Sequence, residues 1–270
     1  AALAAQLAAG VPESPADLFY AQESGFLGAL GKAGVLAEIP TALRDLVSPS
    51  FRDPQGHWIG VSARLRVLVY NTATVKPEDL PKSLDDLADP RWKGRIGWAP
   101  ANASFQAHVS LLRHTWGEEK TRAWLAAVRD NGARSYPKNS PIVQAAHAGE
   151  IDIGWVNHYY LHKLATEGYR AANASFPEAG RIGNVPMVSG IGIVKHATRQ
   201  ELAAKLVTYL LDAEAQAWLT QESAEYPTRI GIAAKATLPA LDQIPLAEVD
   251  QSVLTDVGAT LQMLRDLGLQ

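Results

Sequence analysis

Short apolar runs alternate with amphipathic stretches through most of the chain, and this alternation limits the possible fold more than any other feature. Strand-like segments fall at 58–61, 66–70 (Arg-Val-Leu-Val-Tyr), 95–98, 133–136, 151–156 and 188–194. A shorter one at 17–20 precedes a helical stretch that ends near Gly34. Helical periodicity occupies 104–114, 118–131, 141–148, 158–167 and 199–211. Gly117, Gly132, Gly149 and Gly168 follow four of these stretches, at the position where a left-handed residue ends a helix. Strands alternating with helices predict an α/β fold whose mainly parallel sheets are flanked by helices. A length of 270 residues fits about two domains, and no Pro/Gly/Ser-rich linker divides them. The chain is therefore expected to cross between two lobes more than once, leaving a cleft suited to a ligand.

Composition narrows the function. The chain has no cysteine, which excludes disulfides, thiolate-zinc sites, iron–sulfur clusters and thiol nucleophiles. Charged residues are 20% of the chain and the net charge is -3, so nothing electrostatic points to nucleic acid or an acidic membrane as partner. No apolar run approaches the ~20 residues that span a bilayer. No dinucleotide-binding glycine motif, phosphate loop, nucleophile elbow or readable Ser/His/Asp order is present, and nothing identifies an enzyme. The opening AALAAQLAAG reads as the end of a helix, with Leu3 and Leu7 on one face and Gly10 as its stop. No N-cap precedes Leu3, so the chain is expected to begin within an element.

The segment IDIGWVNHYYLHKLATEG, residues 151–168, carries the most chemistry. Its first six residues read as a buried strand, Asn157 as an N-cap, and His158, Tyr159 and Tyr160 as the first helical turn. At a helix start, neighbouring side chains can lean toward one object off the end of the axis. Phenolates are hard donors that suit a trivalent cation such as ferric iron. The alternative is that the two rings simply pack together. His158 and His162 have the i,i+4 spacing of a metal chelate but no evident third ligand, and read as ordinary histidines. Asn102 or Ser104 begins a helix after a strand, where backbone N–H groups can cradle an oxyanion. Asn139 or Ser140 can cap the next one with Pro141 at its first position. Arg64 reads either as an anion clamp or as a surface charge.

The ordered set SPADLFYAQESGFLGALGKAGVL, WIGVSARLRVLVYNT, LADPRWKGRIGWAPANASFQ, YPKNSPIVQAAHAGEID, VNHYY and AEYP resembles the periplasmic ferric-ion-binding proteins, sometimes called bacterial transferrins. These are the substrate-binding components of iron ABC transporters. The resemblance implies a two-lobed type II periplasmic-binding-protein fold, with residues 1–65 and 187–237 in one lobe and 66–186 and 238–270 in the other. It implies a non-catalytic, monomeric protein of the periplasm or the outer face of the membrane. Such a protein would bind Fe(III) with synergistic phosphate or carbonate between its lobes and deliver it to a permease in the inner membrane. By position, Tyr159, Tyr160 and Gln22 match metal ligands, while Asn102, Ala103, Ser104, Asn139, Asn157 and Arg64 match anion-binding residues.

Three departures accompany the match. Gln22 stands where several members carry a ligating glutamate, and Glu23 would need a shifted register to replace it. No tyrosine lies near Ser104. The family's opening strand, which bears a His or Tyr ligand, is absent from this sequence, so roughly 30–40 further residues are expected upstream, about the length of one βαβ unit. The alternative reading is the same fold binding another solute, such as an oxyanion, a thiamine-like compound or a polyamine.

Overall fold

The computed structural model describes residues 2–9, 15–178, 182–247 and 250–270. Along the chain the regular elements are α1 (Ala2–Ala8), β1 (Leu18–Ala21), α2 (Ser24–Lys32), α3 (Thr41–Arg44), β2 (Ile59–Asn71), β3 (Ile96–Trp98), α4 (Ala103–Trp116), α5 (Glu118–Asp130) and β4 (Arg134–Ser135). They continue with α6 (Asn139–Ala148), β5 (Ile153–Asn157), α7 (Tyr159–Leu164), β6 (Ala171–Ala174), β7 (Pro186–Ile193), α8 (Gln200–Leu210), α9 (Ala213–Ser223), β8 (Tyr226–Pro227) and α10 (Val257–Asp266). The helix expected to stop at Gly10 ends at Ala8, and Gly10 itself lies outside the described residues.

The chain divides into two compact units: Ala1–Arg64, Met187–Ala240 and Asp250–Thr255 form the first, and Leu65–Pro186, Leu241–Val249 and Asp256–Gln270 the second. The family resemblance places all of 238–270 in the second lobe. The turn Gln251–Thr255 instead packs on α2 in the first unit, where Ser24 Oγ donates to Gln251 Oε1 at 2.7 Å.

In the first unit β1 pairs antiparallel with β7, β7 lies beside β2, and β8 pairs antiparallel with the early part of β2. In the second unit β5 and β6 run antiparallel to the later part of β2, while β3 lies between β5 and β4 and parallel to both. The α/β class is as expected, but parallel pairing is confined to β3, β4 and β5 among the described pairs. Strand–helix alternation announces crossovers; it does not say which neighbour a strand meets, and β2 opposes both strands it pairs with in the second unit.

The segments expected at 58–61 and 66–70 are one strand, β2, in which all 13 residues are buried. Ser62, Arg64 and Arg66 interrupt its apolar run without interrupting its burial. In the second unit Asn102 caps α4 by accepting from the Ser104 N–H at 3.0 Å, and Gly149, at φ 78°, ends α6. Gly97 and Gly154, on the adjacent strands β3 and β5, let α6 lie against the sheet. A Cβ on either would collide with Ile142 or Ile151. Beneath them Trp98, Phe105, Trp124 and Trp155 meet edge to face at centroid distances of 5.1–5.7 Å. Among the described residues no helix is long and apolar enough to cross a membrane.

Candidate functional site

Strands β3, β4 and β5 point the same way, and each passes its carboxyl end to a helix: β3 to α4, β4 to α6, β5 to α7. Three helix starts therefore gather along one edge of the second unit's sheet, the edge at which parallel α/β sheets hold ligands. The first-turn N–H groups of α4 and α6 have no partner within their own helices, and the positive ends of those helices favour an anion.

Hydrogen bonds fix the side chains at this edge. Asn157 closes β5 instead of capping α7, and His158 takes the cap position. Asn157 Nδ2 donates to Ser104 Oγ at 3.2 Å, which ties the end of β5 to the start of α4. His158 is buried: its N–H donates to the Leu65 carbonyl, its Nδ1 accepts from the Leu65 N–H, both at 3.0 Å, and its carbonyl accepts from Asn173. With Nδ1 committed, the His158–His162 pair is a packing contact between rings 6.4 Å apart, not an open chelate. Among the described residues no group of three or more His, Cys, Asp or Glu is placed to hold a metal.

Asn139 is the first residue of α6, whose cap is Lys138, so neither Asn139 nor Ser140 caps and Pro141 is the third helical residue. It is fully buried, and neither Nδ2 nor Oδ1 has a hydrogen-bond partner in the protein. An unpaired buried amide costs about 1–3 kcal/mol, and such groups in native proteins mark strain or a missing ligand or water.

The tyrosine rings stack, with centroids 4.3 Å apart and an interplanar angle of 28°. Side chains of adjacent residues diverge by about 100° in mid-helix, but at this helix start they converge. Tyr159 is buried and Tyr160 partly so, and Lys163 Nζ lies 4.7 Å from the Tyr159 ring centroid.

The remaining expected residues lie in the first unit. Gln22 follows β1 with its side chain exposed, and its carbonyl accepts from Ser189 Oγ at 3.3 Å and from the Arg64 guanidinium. Arg64 is only 1% exposed and pairs with Glu23 at 3.2 Å. It is thus neither a surface charge nor an open clamp; it fastens the 22–23 turn. Nearby, Tyr20 contacts Ser62 and Ser189, and partial burial, reinforced by the Glu225 carboxylate, pushes its phenol above the usual range. That environment opposes a phenolate. Asn102, Ala103, Ser104, Asn139, Asn157, Tyr159 and Tyr160 all lie in the second unit, where hydrogen bonds join Asn102 to Ser104 and Ser104 to Asn157 and the two tyrosine rings meet. Sequence reasoning missed Arg66, a fully buried arginine beside Asn157. Its only signal was a charge opening an otherwise apolar strand.

A two-unit α/β chain with helix starts gathered at a sheet edge is the architecture of a solute receptor. Residues 13–254 match the family of bacterial extracellular solute-binding proteins, and the chain belongs to that family. Its relatives are specific. It is 33% identical over 260 residues to the Fe(3+)-binding periplasmic protein of Serratia marcescens, covering 95% of this chain and 76% of that one. The crystal structure of iron-bound HitA from Pseudomonas aeruginosa superimposes with a TM-score of 0.85 at 33% identity, over 99% of this chain and 88% of that one. Trichodesmium IdiA (FutA) in complex with iron and citrate gives a TM-score of 0.85 at 26% identity, over 100% and 88%.

Proposed function

We propose that this protein binds ferric iron together with a synergistic anion and delivers it, without catalysing a reaction, to an ABC-transporter permease from the periplasmic side of the membrane. The observation that carries the reading is the stacked Tyr159–Tyr160 pair, separated from Asn157 only by His158, at an edge where two longer helices begin. Two adjacent phenols offer hard oxygen donors, and a trivalent ion in contact with them holds them deprotonated. The α4 start (Asn102, Ala103, Ser104), the Asn139 amide and Asn157 offer hydrogen-bond donors to the anion. Phosphate and carbonate fit that cradle, as do the carboxylates of citrate. Iron is cargo in this account, so tight binding has to be reversible. Gln22 remains a proposed contributor from the first unit; an amide is a weaker partner for Fe(III) than a carboxylate.

Titrating Fe(III) into the protein with phosphate, carbonate or citrate is expected to produce a visible red-to-purple tyrosinate charge-transfer band. A colourless protein under all three anions overturns the proposal. If phosphate alone then raises the melting temperature, the solute is an oxyanion rather than iron.

Asn139 gives an independent check. Asn139→Ala removes the unpaired amide, so the ligand-free protein is expected to melt at the same temperature or higher. Its phosphate affinity is expected to fall about tenfold, the equivalent of one hydrogen bond to a charged group. Calorimetry and thermal melts on the same samples read both quantities.

A further inference from the structure

We infer that Arg66 is a positioning residue that sets the polarity of the anion cradle, turning both Asn157 and Ser104 into donors. The inference rests on the anion site proposed above and adds to it a residue that does not touch the anion. Arg66 and Asn157 are direct cross-strand partners in the β2–β5 pair, so their side chains share a face of the sheet. The guanidinium is fully buried. Nη1 donates to Asn157 Oδ1 at 3.2 Å, Nη2 donates to the Trp155 carbonyl at 3.0 Å, and the group lies 4.9 Å from the centroid of the Trp155 ring.

An amide side chain can be turned either way round, and its neighbours decide which. Here the choice is forced: a guanidinium has donors and no acceptor, so Asn157 must face it with oxygen. Nδ2 is thereby directed to Ser104 Oγ, which accepts at 3.2 Å. Ser104 is one of the first residues of α4, and with its oxygen already accepting from Asn157, its own hydroxyl proton is released to point elsewhere. The result is a one-way relay from a buried cation through an amide to a hydroxyl, every member aligned to donate at its outer end. Such a cradle favours ligands that only accept hydrogen bonds, which means fully deprotonated oxyanions and carboxylates rather than alcohols, amines or protonated acids. The charge of Arg66 is felt elsewhere in this interior. His108, fully buried against Trp155, has its pKa lowered to about 3 by burial and, next, by Arg66, so it stays neutral and donates from Nε2 to the Ile182 carbonyl at 2.5 Å.

The test uses the iron-free protein, stripped with chelator and titrated with inorganic phosphate by calorimetry, with thermal melts run in parallel. Arg66→Met is expected to weaken phosphate binding at least tenfold, and Arg66→Lys to recover part of that loss. Because removing a buried arginine can unfold the protein, Asn157→Asp is the decisive variant. It gives Arg66 a full carboxylate partner and is expected to melt at or above the wild-type temperature. It also makes Ser104 donate inward, so the phosphate response is expected to disappear. A purely structural role for the Arg66–Asn157 contact would leave phosphate binding and stability moving together. Phosphate affinity within twofold of wild type in Asn157→Asp, or a melting temperature well below wild type, overturns the inference. Wild-type protein that binds no phosphate, carbonate or citrate defeats the anion site itself, before any variant is compared.

Discussion

Replacing Tyr159 and Tyr160 together by Phe is expected to abolish the visible band of the iron-loaded protein and to lower iron affinity by several orders of magnitude. Losing a residue that merely supports a metal ligand typically costs about 10–100-fold, and in the proposed site each of these substitutions would remove a ligand itself. The variant separates two explanations of the same contact. The rings stack at 4.3 Å, and phenylalanine keeps that stacking. The fold is therefore expected to lose no more than about 1 kcal/mol per hydroxyl, the net worth of a typical hydrogen bond. Visible spectroscopy and iron titration read the first effect, and a circular-dichroism melt reads the second. If the band survives in the double variant, the tyrosines are packing residues and the iron site lies elsewhere.

The largest expected loss of stability follows from Trp155→Ala. This indole is 1% exposed. It meets Phe105 at 5.1 Å, Trp124 at 5.7 Å and His108 at 4.6 Å, and the Arg66 guanidinium lies over it. Truncating a buried aromatic of this size costs about 3–5 kcal/mol through lost burial and the cavity left behind. Part of the cost here comes from depriving Arg66 of the surface on which it rests. The loss is expected in the transition of the second unit, followed by urea denaturation with circular dichroism. A change below about 1 kcal/mol would mean the neighbouring rings collapse into the space without penalty. Anion binding is expected to weaken along with stability, since Arg66 would no longer be held against Asn157.

Much of the second unit was legible because its signals are local. The runs from β3 to α6 matched their expected positions within a few residues, since Asn102 caps, Gly117 and Gly149 terminate, and short apolar strands fill the gaps. Where the reading failed, the deciding interaction lay far away in sequence. Ser62 and Arg64 looked like a break in β2 because their partners, Glu225 and Glu23, come from other elements. The residues Ala-Ala-Asn-Ala of β6 have low strand propensity, and the strand exists because β2 offers an edge to pair with. Helices α9 and α10 escaped notice. Expected to run from 158 to 167, α7 stops at Leu164.

The candidate site divides the same way. The tyrosine pair and the helix starts are consecutive residues and could be read directly. What the sequence could not supply was orientation: that Asn157 ends a strand instead of capping a helix, that Asn139 is buried without a partner, and that Arg64 is spent on the turn at Gln22. These are properties of the packed chain, decided by which polar groups find partners once water has gone.

The aromatic interior of the second unit also has an optical consequence. Trp116, Trp124 and Trp155 form a chain of indoles with successive centroids 5.8 Å and 5.7 Å apart. At such separations an excited indole shares its energy with the next before it emits, so the three behave as one antenna. The last member of that antenna sits two residues before Asn157, at the end of the strand that leads into the tyrosine pair. Its emission is therefore expected to dim when an absorbing species forms at that edge.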